Sequence, residues 1–184
     1  MKSITKIALF FSGILILMLF SCQKFTEYPK EPQIQFESFM LLVDTVPDGD
    51  TIKIISNRGI LAFSYTDGDG DLGLRSEDTN APFNPGSPYY YNIIVKYFEK
   101  QNGHFVQVPV TNPDGVTDTI NFNGRFPYLT PDGNHKAIRG IINDTLLVNN
   151  PLSTYDTVKF KVYIYDRALH KSNEIETPEI QVFK

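Results

Sequence analysis

The chain has 184 residues, 41% hydrophobic and 21% charged, with a formal net charge of −4. Such a composition describes one ordinary globular domain and excludes a disordered chain. An acidic balance without a basic run excludes nucleic acid as a partner, and a lone cysteine, Cys22, excludes an internal disulfide or a Cys/His zinc site.

Lys2 and Lys6 give a positive start, and Ile7 to Phe20 follow as an almost continuous apolar run closed by Ser21-Cys22. A charged start, a short apolar stretch and a small residue before a cut mark a secretory signal. The run is short for a membrane-spanning helix. Leu19-Phe20-Ser21-Cys22 resembles the bacterial lipobox, in which cleavage before the cysteine exposes it for acylation by chains such as palmitate. Phe20 departs from the small or aliphatic residue usual there, although this ending is common among lipoproteins of the Bacteroidota. The expected organisation is a signal peptide over 1–21, lipidated Cys22 with a tether to 33 containing Pro29 and Pro32, and one domain over 34–184. Cleavage removes Lys2 and Lys6 and no acid, which takes the net charge from −4 to −6. Gln23, rather than Asp, follows the cysteine and favours the outer membrane. Gln23 to Glu27 lack the acidic cluster of surface-exported lipoproteins, which favours the periplasmic face.

From Gln33 onward short β-like runs alternate with turn residues. Strands are expected at 34–43, 51–56 and 60–65, with Asn57-Arg58-Gly59 as a tight turn between the last two. A long loop, 72–88, carries Pro82, Pro85, Gly86 and Pro88. Tyr89 to Lys100 reads as a strand that Gln101-Asn102-Gly103 turns back into 104–110. Further strands are expected at 117–122, 136–143, 156–166 and 174–183. Val158 to Ile164 alternates apolar and polar, as a strand with one face in a core does. No segment keeps helical periodicity with caps. The pattern predicts an all-β fold, an immunoglobulin-like antiparallel β-sandwich, with a barrel as its competitor.

Asp67-Gly68-Asp69-Gly70-Asp71-Leu72-Gly73 holds three carboxylates at alternate positions with glycines that let the backbone wrap. Convergent carboxylates repel unless a cation, hydrogen bonds or water separate them. The expected occupant is Ca²⁺, in a structural site, with magnesium disfavoured by an irregular loop. Asp78 falls at position 12 of an EF-hand count, but Leu72 stands where that motif needs glycine and a strand precedes the loop, so this is not an EF-hand. If 60–66 is strand B and 156–166 and 174–183 are strands F and G, the acidic loop and the 166–173 turn share one end of the sandwich. Asp166 then adds a further oxygen, Asn173 is a weaker candidate, and Arg167 is placed to pair with one of the acids. The competing reading is an acidic turn that is merely soluble.

Other features carry less. Tyr89-Tyr90-Tyr91 with Tyr97 and Phe98 could form a stacking platform, though alternation sends part of it into a core. Asp-Thr-aliphatic triplets place Thr45, Thr51, Thr119, Thr145 and Thr157 in a pattern resembling the O-glycosylation acceptor of Bacteroidota. Asp-Thr is equally good chemistry for leaving a turn and entering a strand. Ser64, Ser76 and Ser172 lack a nucleophile elbow, and no enzyme is expected.

Phe63 to Gly73, Tyr91 to Gly103, Ile138-Arg139-Gly140 and Tyr163 to Asn173 together resemble a family of small Bacteroidota outer-membrane lipoproteins with a DGDGDxG loop and a DRAxxKSN turn. The resemblance implies an envelope lipoprotein with an immunoglobulin-like sandwich and implies no activity. The expectation is therefore a non-enzymatic, calcium-stabilised binding or accessory module that serves an envelope protein partner. The alternative is a glycan- or peptide-binding lipoprotein of a nutrient-uptake system.

Overall fold

A computed structural model describes residues 27–111, 115–130, 137–148, 150 and 153–183. The expected signal peptide, Cys22 and the first part of the tether lie outside the described residues. Among the described residues there is no helix, and strands β1 (Gln33–Asp48), β2 (Thr51–Asp67), β3 (Ile93–Gln101), β4 (His104–Gln107), β5 (Pro109–Thr111), β6 (Thr117–Thr119), β7 (Ile138–Leu147), β8 (Thr157–Ile164), β9 (Ile175–Glu176) and β10 (Ile180–Gln181) follow in order. One antiparallel sheet runs β1-β2-β7 and a second runs β10-β8-β3-β4, with β9 also on β8; β5 and β6 form a separate ribbon.

The two sheets pack face to face because each buries one side of its pleat. In β3 and β8 burial alternates residue by residue, which sends Val95, Tyr97, Val158, Phe160, Val162 and Ile164 inward. Leu61 and Phe63 of β2 and Leu146 of β7 meet them in a single core. Phe39 of β1 stacks on Phe160 of β8 with ring centroids 5.5 Å apart, a direct contact between the sheets. The expected sandwich is thus the observed architecture.

Several boundaries differ from expectation for local reasons. Asn57-Arg58-Gly59 is not a turn; β2 runs straight through it. Asn57 is buried and pairs with the backbone of Phe183, its Nδ2 donating to Phe183 O at 2.7 Å and its Oδ1 accepting from Phe183 N at 3.1 Å. Arg58 makes a two-point pair with Asp44 on β1. Gly59 leaves room for the Phe39 ring, since a Cβ there would lie 2.1 Å from Phe39 Cζ. Polar and small residues that suggest a turn serve cross-strand contacts instead. The last expected strand splits into β9 and β10 around Pro178, which has no N–H to give a ladder. Tyr89, Tyr90 and Tyr91 precede β3 rather than lying in it. The Gln101-Asn102-Gly103 turn is as expected, with φ of 52° at Asn102 and 84° at Gly103, the geometry of a two-residue hairpin.

Candidate metal centre

The end of β2 delivers Asp67 into the protein, where it is fully buried. Its Oδ1 closes the turn that follows, accepting from Asp69 N at 3.1 Å and Gly70 N at 2.8 Å. Positive φ at Gly70 (65°) and Gly73 (85°) bends the loop back, and Leu72 plugs it into the core at 0% exposure. At Gly73 the chain lies so close to the 126–129 segment that a Cβ would sit 1.9 Å from Pro127 O. The loop is therefore anchored on both sides of its acids.

The second contribution comes from the turn after β8. Leu72 and Asp166 form a β-bridge, Arg167 N donates to Asp71 O, and Ala168 N donates to Asp71 Oδ2 at 3.0 Å. Asp166 is 3% exposed and is bonded by its own turn: Oδ1 accepts from His170 N at 2.7 Å, and Oδ2 lies 2.8 Å from His170 Nδ1. One carboxylate oxygen from each of Asp67, Asp69, Asp71 and Asp166 then falls within 4.8 Å of the others. Three buried oxygens, Asp67 Oδ2, Asp69 Oδ1 and Asp71 Oδ1, have no hydrogen-bond partner among the described residues.

Such an arrangement is electrostatically costly by itself. Ionised carboxylates whose oxygens lie within 4.8 Å of one another repel by on the order of 3–4 kcal/mol per pair at an effective dielectric constant near 20. Burial, with the adjoining Asp69 and Asp71, pushes the Asp67 carboxyl up from 3.8 to about 7, against the bond from Gly70. Burial and then the charges of Asp166 and Asp69 raise Asp71, with Arg167 opposing. Burial also raises Asp166 despite its bonds to His170, and that hydrogen bond raises His170 in turn. Three of these oxygens are buried without a protein partner among the described residues, Asp166 is bonded to His170, and the four acids lie close enough to hold a metal ion.

The expected site residues divide clearly. Asp67, Asp69, Asp71 and Asp166 come together, and Asp78 does not. The chain leaves the site at Leu74, which bridges to Pro127, and Asp78 Oδ2 accepts from Arg75 N at 2.8 Å to close a turn of its own. The EF-hand count failed because this loop is tied down after its sixth residue. Asn173 also lies elsewhere, holding both backbone groups of Ile34 at 2.8 Å. Among the described residues Arg167 makes no ion pair with an acid within 4 Å. Its guanidinium donates to Leu72 O, Gly73 O and Thr130 Oγ1 and stacks 4.3 Å from the Tyr128 ring centroid.

The tyrosine platform is not formed: Tyr97 is core, Tyr89 packs edge-on to Tyr165, and Tyr90 packs against Tyr91. Thr51 and Thr157 begin strands, as the turn-exit chemistry expects, whereas Thr45 and Thr145 lie inside β1 and β7 and Thr119 ends β6. A second polar centre was missed. Glu99 is fully buried, with donors from Tyr97 Oη (2.9 Å), Asn150 Nδ2 (2.8 Å), Ser153 Oγ (2.8 Å) and Gln101 Nε2 (3.2 Å). Burial pushes its carboxyl up, but these donors outweigh that and hold it below its ordinary range. Its inward phase with Val95 and Tyr97 was the available signal. Comparison with family models, curated proteins and solved structures returns no match.

Proposed function

We propose that this protein is a non-enzymatic envelope lipoprotein, a calcium-stabilised binding or accessory module of an outer-membrane complex. The observation that carries the reading is the set of three buried, unpartnered carboxylate oxygens facing Asp166 within 4.8 Å. Oxygens on one calcium ion at 2.3–2.6 Å lie no more than about 5 Å apart, whereas magnesium at 2.0–2.1 Å limits them to about 4 Å. Carboxylate oxygens within 4.8 Å of one another can share one calcium ion, which also tolerates an irregular loop. Such an ion ties the β2 loop to the turn after β8, so its role is structural.

The strand orders β1-β2-β7 and β10-β8-β3-β4 support an immunoglobulin-like connectivity, with the metal loops at one end. The lipobox-like Leu19 to Cys22 supports an outer-membrane lipid anchor, Gln23 to Glu27 favour the periplasmic face, and the resemblance to small Bacteroidota lipoproteins agrees. The more exposed large apolar side chains, among them Ile52, Ile141 and Leu147, are mainly aliphatic, which suits a protein partner better than a sugar.

The glycan- or peptide-binding alternative draws on the outer face of β3 and β8, where aromatic rings and lysines mingle. Those rings are already engaged: Lys171 Nζ lies 3.9 Å from the Tyr163 centroid and Lys161 Nζ 5.7 Å from that of Phe98. It therefore stands second. Calorimetric titration of the purified chain with calcium tests the first reading, with melts in calcium and in chelator. Saturable binding and a raised melting temperature, both lost in Asp69→Ala/Asp71→Ala, support it; absence of binding and shift refutes it.

A further inference from the structure

The loops that carry the acids also grip the chain where it enters the fold. Gly68, between Asp67 and Asp69, donates its N–H to Pro29 O at 2.8 Å. A Cβ there would lie 2.2 Å from Tyr28 O and 2.7 Å from Pro29 O, so the backbones approach this closely only without a side chain. From the other loop, Asn173 ends the turn that Asp166 begins. Its Oδ1 accepts from Ile34 N and its Nδ2 donates to Ile34 O, both at 2.8 Å. Pro32, between the two grips, is buried. The expected tether is thus docked over 29–33.

We propose that the metal closes a clasp on residues 29–34, an inference that rests on reading the acids as a cation site. Repulsion among Asp67, Asp69, Asp71 and Asp166 works against the bridge and hydrogen bonds that join the two loops, and each loop carries one grip. A cation joins the loops and tightens both grips together. If Cys22 carries lipid, only residues 23–27 lie between it and Tyr28, a reach of roughly 20 Å when extended. The cation then sets the greatest distance at which the domain can stand from its membrane.

Digestion of the full chain in detergent micelles with a lysine-specific protease tests the clasp. Lys30 is exposed between the grips, and exposed Lys53, in the β1–β2 hairpin, is the internal reference. The expected result is cleavage after Lys30 slowed roughly tenfold by calcium relative to Lys53, and restored by chelator. Gly68→Ala keeps all four acids and should bind calcium by calorimetry yet lose this protection. Asn173→Ala, which touches no acid, should do the same and carries the test if Gly68→Ala loses calcium. Calcium binding without a change at Lys30 overturns the clasp and leaves the site standing, as does protection that persists in both variants. No calcium binding overturns both.

Discussion

Replacing Asp67 by Asn separates the turn-forming oxygen of this residue from its unpaired one. Oδ1 remains to accept from Asp69 N and Gly70 N, while an amide replaces the partnerless Oδ2 beside Asp69 and Asp71. A carboxyl raised from 3.8 to about 7 in the metal-free fold is destabilising once ionised, by on the order of 4 kcal/mol at pH 8. The sign follows from the raised value: the contribution is fully favourable below 3.8 and is lost as pH rises through about 7. In chelator at pH 8, Asp67→Asn should therefore melt above the wild type. At 2–4 °C per kcal/mol, and with relaxation absorbing part of the strain, the gain is about 5–10 °C. Calcium at a hundred times its dissociation constant should stabilise the wild type by about 2.7 kcal/mol and the variant hardly at all. Scanning calorimetry in calcium and chelator, at pH 5 and pH 8, measures all four corners. A variant that melts below the wild type in chelator at pH 8 would refute the claim that these acids are strained without a cation.

Glu99→Gln should cost about 1–3 kcal/mol, because an amide cannot accept from four donors as the buried carboxylate does. Since the Glu99 carboxyl is held below 4.5, its stabilisation is present above that pH and lost on acidification through the lowered value, so urea midpoints of wild type and variant should converge there. Gly59→Ala drives a methyl into Phe39 and should destabilise by about 1–3 kcal/mol in the same denaturation assay. Cys22→Ser should move the protein from the membrane fraction to the soluble fraction on ultracentrifugation, and retention in the membrane would exclude lipid on this cysteine as the anchor.

Much of this was legible in the sequence because it depends on period and local chemistry. Alternation in Val158 to Ile164 specified a half-buried strand, and Asn102-Gly103 specified the turn from β3 to β4. The acidic loop could be linked to Asp166 because sandwich connectivity brings those two connections to one end. What stayed hidden depends on register between distant segments. Asn57 and Asn173 read as turn residues and Asn92 as part of a strand, yet each side-chain amide pairs with both backbone groups of one residue, Phe183, Ile34 and Phe126 respectively. An amide presents one donor and one acceptor, as a neighbouring strand would. Nothing in local sequence distinguishes that use from a turn.

Those amides bear on how the sheet ends. At Ile34 the β1 edge receives the Asn173 amide in place of a neighbouring strand, so its first hydrogen-bonding position is closed. The other edge, β7, has no strand beyond it among the described residues and exposes Ile141 and Leu147 at 61% each. An apolar, unpaired edge of ten residues invites indiscriminate strand addition. Asp144 works against that. It pairs with Leu61, a core position of β2, so its carboxyl faces inward, and burial raises its pKa. A strand added along β7 would dehydrate this carboxylate further, at a cost that only a partner bringing a donor or cation to it would offset. A generic β-segment is thereby disfavoured along this edge.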